Sequence, residues 1–146
     1  MDIRPATPLD AEPVYALICA LEDKALPQTD FRAVFARNLA DPDVRYLVAQ
    51  TGEDVLGFIS LHMGWQLHHA AKIGQLQELI VRQDARSRGI GEALLAAATA
   101  AAKAAGCAHM ELNSGFARPR AHIFYERHGW AKDHYNFTYK HWGDEM

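Results

Sequence analysis

The sequence predicts an α/β fold: a single domain, residues 1–146, in which a mixed sheet is flanked by helices. Three observations carry that expectation. Segments with strand-like patterning alternate with amphipathic helical ones along the chain. An alanine-rich run that favours helix by propensity alone follows an apolar run and a glycine turn. The length of 146 residues suits one domain with a single core, and no linker, repeat or charge block divides it.

The elements follow in order. "DIRPAT" opens as a short strand. Thr7 then starts a helix, with Pro8 at its first position and Asp10 placed for a capping-box-like contact. Val14, Leu17, Ile18 and Leu21 recur at helical spacing. Thr29-Asp30 caps a second helix, whose apolar face holds Phe31, Val34, Phe35 and Leu39, and Asp41-Pro42 ends it. "VRYLVAQ" and "VLGFISLHM" read as a hairpin around "TGED", and "IGQLQELIVR" as a further strand. "GEALLAAATAAAKAAG" is a helix with Gly106 as its C-terminal cap. "AHMELN" is a strand, and "PRAHIFYERHG" a short helix from Pro119 to its stop at Gly129. "HYNFTYKHW" alternates like a final strand, with Tyr135, Phe137 and Tyr139 on one face.

Composition excludes several classes. With 49% hydrophobic residues the chain is globular, and a net charge of −3 gives no basic field for nucleic acid. No apolar run approaches the roughly 20 residues of a membrane span, and "MDIRPATPLD" does not read as a signal peptide. Cys19 and Cys107 lack CxxC spacing and read as reduced core thiols of a cytoplasmic protein.

"QDARSRGIGEALL" places two glycines and two arginines where a strand hands over to a helix. A helix start offers N–H groups and a positive dipole end. Gly89 and Gly91 leave those amides open, and Arg86 and Arg88 add charge, the design of a phosphate or pyrophosphate seat. Neither GxxxxGK[ST] nor GxGxxG is present, so this is not a P-loop or dinucleotide fingerprint.

"LIVRQDARSRGIGEALL" resembles the acetyl-CoA signature of the GCN5-related N-acetyltransferases, [Q/R]xxGx[G/A], and "AHIFYERHGW" resembles that family's last motif. The resemblance implies a largely antiparallel sheet, splayed between the strand ending near Val81 and the one ending near Asn113, with acetyl-CoA in the gap. It implies that Leu79, Ile80 and Val81 bond the pantetheine arm. It places the pyrophosphate on the amides of Arg86, Ser87, Arg88, Gly89, Ile90, Gly91 and Glu92. Further likeness, through "RPAT", "VYALICALE", "LHHAAKIGQLQELIV" and "RAHIFYERHGW", is to the aminoalkylphosphonate N-acetyltransferases. One departure stands out: Arg118 occupies the position of a customary CoA-binding Asn. Arg118 is then expected to pair with a phosphate, or Asn113 or Ser114 to substitute.

Acetyl transfer to an amine needs a base, an oxyanion site and a proton for the departing thiolate. Glu78, on a strand face read as shared with Leu76 and Ile80, is the candidate base, the alternative being a salt bridge to Lys72 or Arg82. Tyr125, at the position whose hydroxyl reaches the CoA sulfur in the family, is the candidate acid, the alternative being a core tyrosine beside Phe124. His62, His68 and His69 are candidates for recognising an anionic substrate or for binding a divalent metal, with polar loop residues as the plain alternative. His109, His122, His128, His134 and His141 read as structural or surface residues. The expected activity is direct attack by a small amine on the thioester in a ternary complex, since no cysteine is placed for a covalent acetyl-enzyme. Competing readings are a protein lysine or N-terminal acetyltransferase, and a CoA-binding sensor without catalysis. The aromatic final strand is a candidate homodimer interface.

Overall fold

The computed structural model describes residues 1–113, 119–134 and 136–140. Two compact units result, Met1–Leu112 and Asn113–Met146.

The first unit is built on a five-stranded sheet in sequence order, β1 (Asp2–Pro5), β2 (Val44–Thr51), β3 (Asp54–Gln66), β4 (Ala71–Val81) and β5 (His109–Leu112). The first four strands pair antiparallel and β5 joins β4 in parallel. Helices α1 (Ala11–Glu22) and α2 (Gln28–Leu39) connect β1 to β2, and α3 (Ile90–Ala104) makes the β4-to-β5 crossover. A parallel pair needs such a crossover, whereas β2 and β3 need only a tight turn at Gly52, which has φ +60°.

The entry to α1 follows the predicted cap with one addition. Pro8–Asp10 form a 3-10 turn, and the Asp10 carboxylate accepts the Thr7 N–H at 2.7 Å. Arg4 grips the same carboxylate through both terminal nitrogens, at 2.8 and 2.9 Å. These donors, Arg4 foremost, hold the buried Asp10 carboxyl below its ordinary pKa. The second helix begins earlier than the sequence suggested. Pro27 is its N-cap, so Thr29 and Asp30 lie inside the first turn. Proline sets the φ that starts a helix, and Asp30 is thereby released from capping.

The two faces of the sheet are covered differently. On one, Val14, Leu17 and Ile18 of α1 and Phe35 of α2 pack with Val48, Phe58 and Ile80. On the other lies α3, whose buried face is Ile90, Leu94, Leu95, Ala98 and Ala102. Small residues allow that close approach. A Cβ on Gly57 would meet Leu94 Cδ1 at 2.9 Å and the Ile80 carbonyl at 3.2 Å, overpacking of the kind that costs about 1–3 kcal/mol. Gly106, at φ +85°, ends α3 as expected, and the Cys107 N–H returns to the Ala102 carbonyl at 3.0 Å.

In the second unit, α4 (Pro119–Arg127) ends at Gly129, at φ +86°, with the Trp130 N–H donating to the Tyr125 carbonyl at 3.1 Å. The predicted last strand is not formed among the described residues. Tyr135, His141 and Trp142 lie outside them, and residues 136–140 have no regular structure, with Phe137 and Tyr139 exposed. Alternation supplies a face but no ladder partner. No helix among the described residues is long and apolar enough to cross a membrane. Cys19 and Cys107 are free thiols, half-buried rather than within the core.

Candidate active site

The site begins with an irregularity in β4. Ser60 pairs with Glu78 but Leu61 pairs with Leu76, so Gln77 is an extra, bulged residue. A bulge breaks the two-residue alternation. Glu78 therefore shares a face with Ile80, facing α1 and α2, while Leu76 turns with Leu61 toward α3. The expectation that Glu78 and Leu76 share a face is corrected here. Pairing between β4 and β5 also stops at this point, at Leu76 opposite Leu112. Beyond it Glu78–Val81 pair with β3, and among the described residues no strand pairs with their other edge. Leu79, Ile80 and Val81 all lie on that stretch.

Glu78 is held from its neighbour strand. The Ser60 hydroxyl donates to Glu78 Oε1 and accepts the Glu78 backbone N–H at 2.9 Å. Ser60 is fully buried, so its hydroxyl has little freedom to choose another partner. The alternative salt bridges do not form: Lys72 reaches Asp43 at 3.4 Å and Arg82 reaches Asp84 at 2.6 Å. Tyr46 lies opposite Ser60 on β2, completing a row across the sheet. Its hydroxyl accepts from Asn38 at 2.6 Å, and burial, with Glu78 adding repulsion, pushes its pKa up.

Glu78 opens onto a cavity of about 280 Å³. Its walls are apolar and aromatic, among them Phe31, Phe35, Tyr46 and Phe58, and its two carboxylates are Asp30 and Glu78. Phe35, Tyr46 and Phe58 form an aromatic series, with ring centroids 5.4 and 5.1 Å apart. Such a cavity suits the cationic end of a small amine.

The glycine turn carries two left-handed residues ahead of α3. Ser87 and Gly89 both adopt the left-handed conformation, at φ +67° and +78°. Alternating left-handed residues turn successive amides toward one side. The helical ladder of α3 starts with the Ala93 N–H on the Gly89 carbonyl at 3.0 Å, so the first turn from Ile90 lies ahead of it. Ser87 holds this conformation without being glycine, a strain of about 1–3 kcal/mol of the kind found at functional turns. The Arg86 and Arg88 side chains fold back onto the Val81 and Asp84 carbonyls, both at 3.3 Å.

The remaining candidates separate. His62 stands beside Tyr46, with ring centroids 6.2 Å apart, and its buried Nε2 has no hydrogen-bond partner among the described residues. Burial holds its pKa below the usual histidine range, while the Glu78 and Asp41 carboxylates pull it upward. His68 and His69 sit in the β3–β4 turn and gather with His109 instead. His62 thus stands apart from His68 and His69, and His109, read as structural or surface, packs against His69. Asn113 begins the second unit and is exposed, and Arg118 and Ser114 lie outside the described residues. Tyr125 lies in α4, its ring edge-on to Phe124 and Trp130 at 5.4 and 5.9 Å. Sequence reasoning missed Ser60, Tyr46 and Asp30. Ser60 alone gave a signal, as the one hydroxyl within "VLGFISL".

The left-handed turn ahead of α3 and the carboxylate on a cavity wall coincide with a family assignment. The chain belongs to the Acetyltransferase (GNAT) family, whose sequence model matches residues 11–130. It is an N-acetyltransferase. It is 45% identical over 137 residues to the aminoalkylphosphonate N-acetyltransferase of Salmonella typhimurium, covering 94% of this chain and 89% of that one. Solved structures with the same fold include a transcriptional regulator from Bacillus halodurans C-125, with a TM-score of 0.87 at 24% identity, covering 95% of this chain and 98% of that one. Another is an aminoglycoside N-acetyltransferase in complex with CoA, with a TM-score of 0.86 at 18% identity, covering 95% and 93%.

Replacing Gly89 with Glu tests the anion seat. A Cβ at Gly89 meets nothing within 4 Å, so the fold should survive with only backbone strain. Charge-assisted amide contacts of about 1.5–3 kcal/mol each would be lost, so CoA affinity in calorimetry should fall by about 100-fold or more. Gly89→Ala shares the strain without the charge and should fall far less. Equal affinities for wild type and Gly89→Glu would remove the pyrophosphate from this turn.

Proposed function

We propose that this enzyme, with residues 1–146 as one N-acetyltransferase domain, transfers the acetyl group of acetyl-CoA to the primary amine of a small aminoalkylphosphonate. The observation that carries the reading is Glu78, fixed by buried Ser60 on the wall of an amine-sized cavity. An alkylammonium with a pKa near that of lysine, about 10.4, is not a nucleophile. Glu78 takes its proton, directly or through a water. The amine nitrogen then bonds to the thioester carbonyl carbon, the C–S bond breaks, the thiolate takes its proton from the Tyr125 hydroxyl, and the surplus proton on the new amide nitrogen passes to the Tyr125 phenolate, directly or through water. The pantetheine arm lies along Leu79–Val81 and the pyrophosphate on the turn from Arg86 to Glu92, with Asn113 and Arg118 as further CoA contacts. The two free thiols agree with a reducing, cytoplasmic setting.

The phosphonate rests on the 45% identical relative and has a physical condition attached. Among the described residues, none of the side chains lining the cavity is basic, and two are carboxylates. The ammonium end fits there, and the phosphonate must point out of it toward cations elsewhere. That same lining favours a second reading, a small neutral amine as acceptor. The two differ in kcat/KM for aminoethylphosphonate beside an uncharged amine of similar length. A preference for the phosphonate of about tenfold or more, 1.4 kcal/mol, is expected. Equal values would remove the phosphonate and leave a general small-amine acetyltransferase.

A further inference from the structure

The turn after β3 and the short strand β5 meet in a cluster apart from the cavity that Glu78 lines. His69, His109 and Glu111 each direct a ligand-capable atom to one point, all within 4.8 Å of one another. The Nε2 atoms of His69 and His109 each lie 2.9 Å from the same carboxylate oxygen, Glu111 Oε2. None of the three lines the acceptor cavity.

We propose that His69, His109 and Glu111 form a binding site for a divalent transition metal of the zinc class, which fastens the β3–β4 turn to β5. Imidazole nitrogen and carboxylate oxygen are the ligand types such ions take, and three protein ligands with water in the fourth position is an ordinary set. Metal–ligand bonds of about 2.0–2.2 Å in a tetrahedron put ligand atoms about 3.4 Å apart. The two nitrogens need to withdraw from the carboxylate oxygen by only about half an ångström to admit the ion.

The backbone builds this convergence from three separate segments. On β5, residues 109 and 111 share a face because side chains alternate. Met110 between them points the other way, close to the position a Cβ of Gly74 would take. The parallel register sets His109 beside Ile73 and Glu111 beside Gln75. Ala70, at φ +50°, reverses the chain immediately after His69 and lays that ring edge-on against His109, with centroids 4.6 Å apart. A left-handed alanine is a strained choice for a plain turn. The side chains of His69, Glu111 and His109 are 27%, 33% and 43% exposed, so the point is open to an ion from solvent.

The test is titration of zinc into chelator-stripped protein by calorimetry, with cobalt absorption as a probe of tetrahedral geometry. One ion per chain is expected. Glu111→Gln, which keeps the side-chain shape, and His109→Ala should each weaken zinc binding by at least about 100-fold, the upper end of what losing an outer-shell partner alone costs. Zinc at 100 times its Kd should raise the folding equilibrium constant of wild type about 100-fold, and should not do so in either variant at that concentration. Absence of saturable binding, or zinc affinity unchanged in both variants, would overturn the proposal. Neither readout uses acetyl transfer, so the result stands apart from the acceptor assignment.

Discussion

Glu78→Gln is expected to lower kcat/KM for the amine acceptor by about 10²–10⁴-fold, the range for loss of a general base. Glutamine keeps the length of the side chain and can still accept from the Ser60 hydroxyl, so the contact across β3 and β4 survives. What disappears is basicity. The acceptor then has to arrive as the free amine, a small fraction at neutral pH given a pKa of about 10.4. The deficit should accordingly shrink as pH rises toward that value, because solution supplies the deprotonated amine. CoA affinity should be unchanged, since the glycine turn is untouched. Ser60→Ala should give a smaller loss: it leaves the carboxylate in place but removes the hydroxyl that orients it. A Glu78→Gln enzyme with wild-type kcat/KM across the pH range would reduce Glu78 to a structural acid.

Tyr125→Phe should lower the single-turnover rate of acetyl transfer by about 10²–10⁴-fold, again the range for a proton-transfer group. The phenylalanine ring can keep the edge-on contacts to Phe124 and Trp130, so the melting temperature should move little. Only the hydroxyl is lost, and with it the proton for the departing thiolate. Thiol and phenol pKa values, about 8.5 and 10, are close enough for that transfer. Single turnover matters because product release can hide a slowed chemical step in kcat. A thioester with a more acidic thiol leaves without help, so it should suffer much less from the substitution. If single-turnover rates match wild type, Tyr125 packs and does not donate.

Fold and site were legible in the sequence to different degrees. The element order through β5 and α4 follows from local signals: alternation, helical spacing, Gly106 and Gly129 as stops. Where a local signal had two uses, it misled. Asp30 has the composition of a cap, but Pro27 had already started the helix, and Asp30 lies on the cavity wall instead. Residues 136–140 alternate like a strand, yet pairing is a property of two segments and alternation belongs to one. The three histidines chosen by proximity in sequence divide between the side of Tyr46 and the β5 edge, because β3 runs on from His62 to Gln66 before the turn begins.

By itself the sequence determined the α/β class, the family and the glycine turn ahead of α3, because each is written in contiguous residues whose backbone preferences do not depend on distant partners. Only the tertiary structure decided how Glu78 is used. The bulge at Gln77 arises from the register of β4 against β3, and it turns Glu78 away from Leu76 and toward the α1 and α2 face. Ser60 reaches Glu78 across 18 residues of chain, and the cavity draws its walls from two helices and three strands. His69, His109 and Glu111 likewise meet only once β5 has paired with β4. Register and convergence are set by long-range pairing and packing, and no window of local sequence contains them.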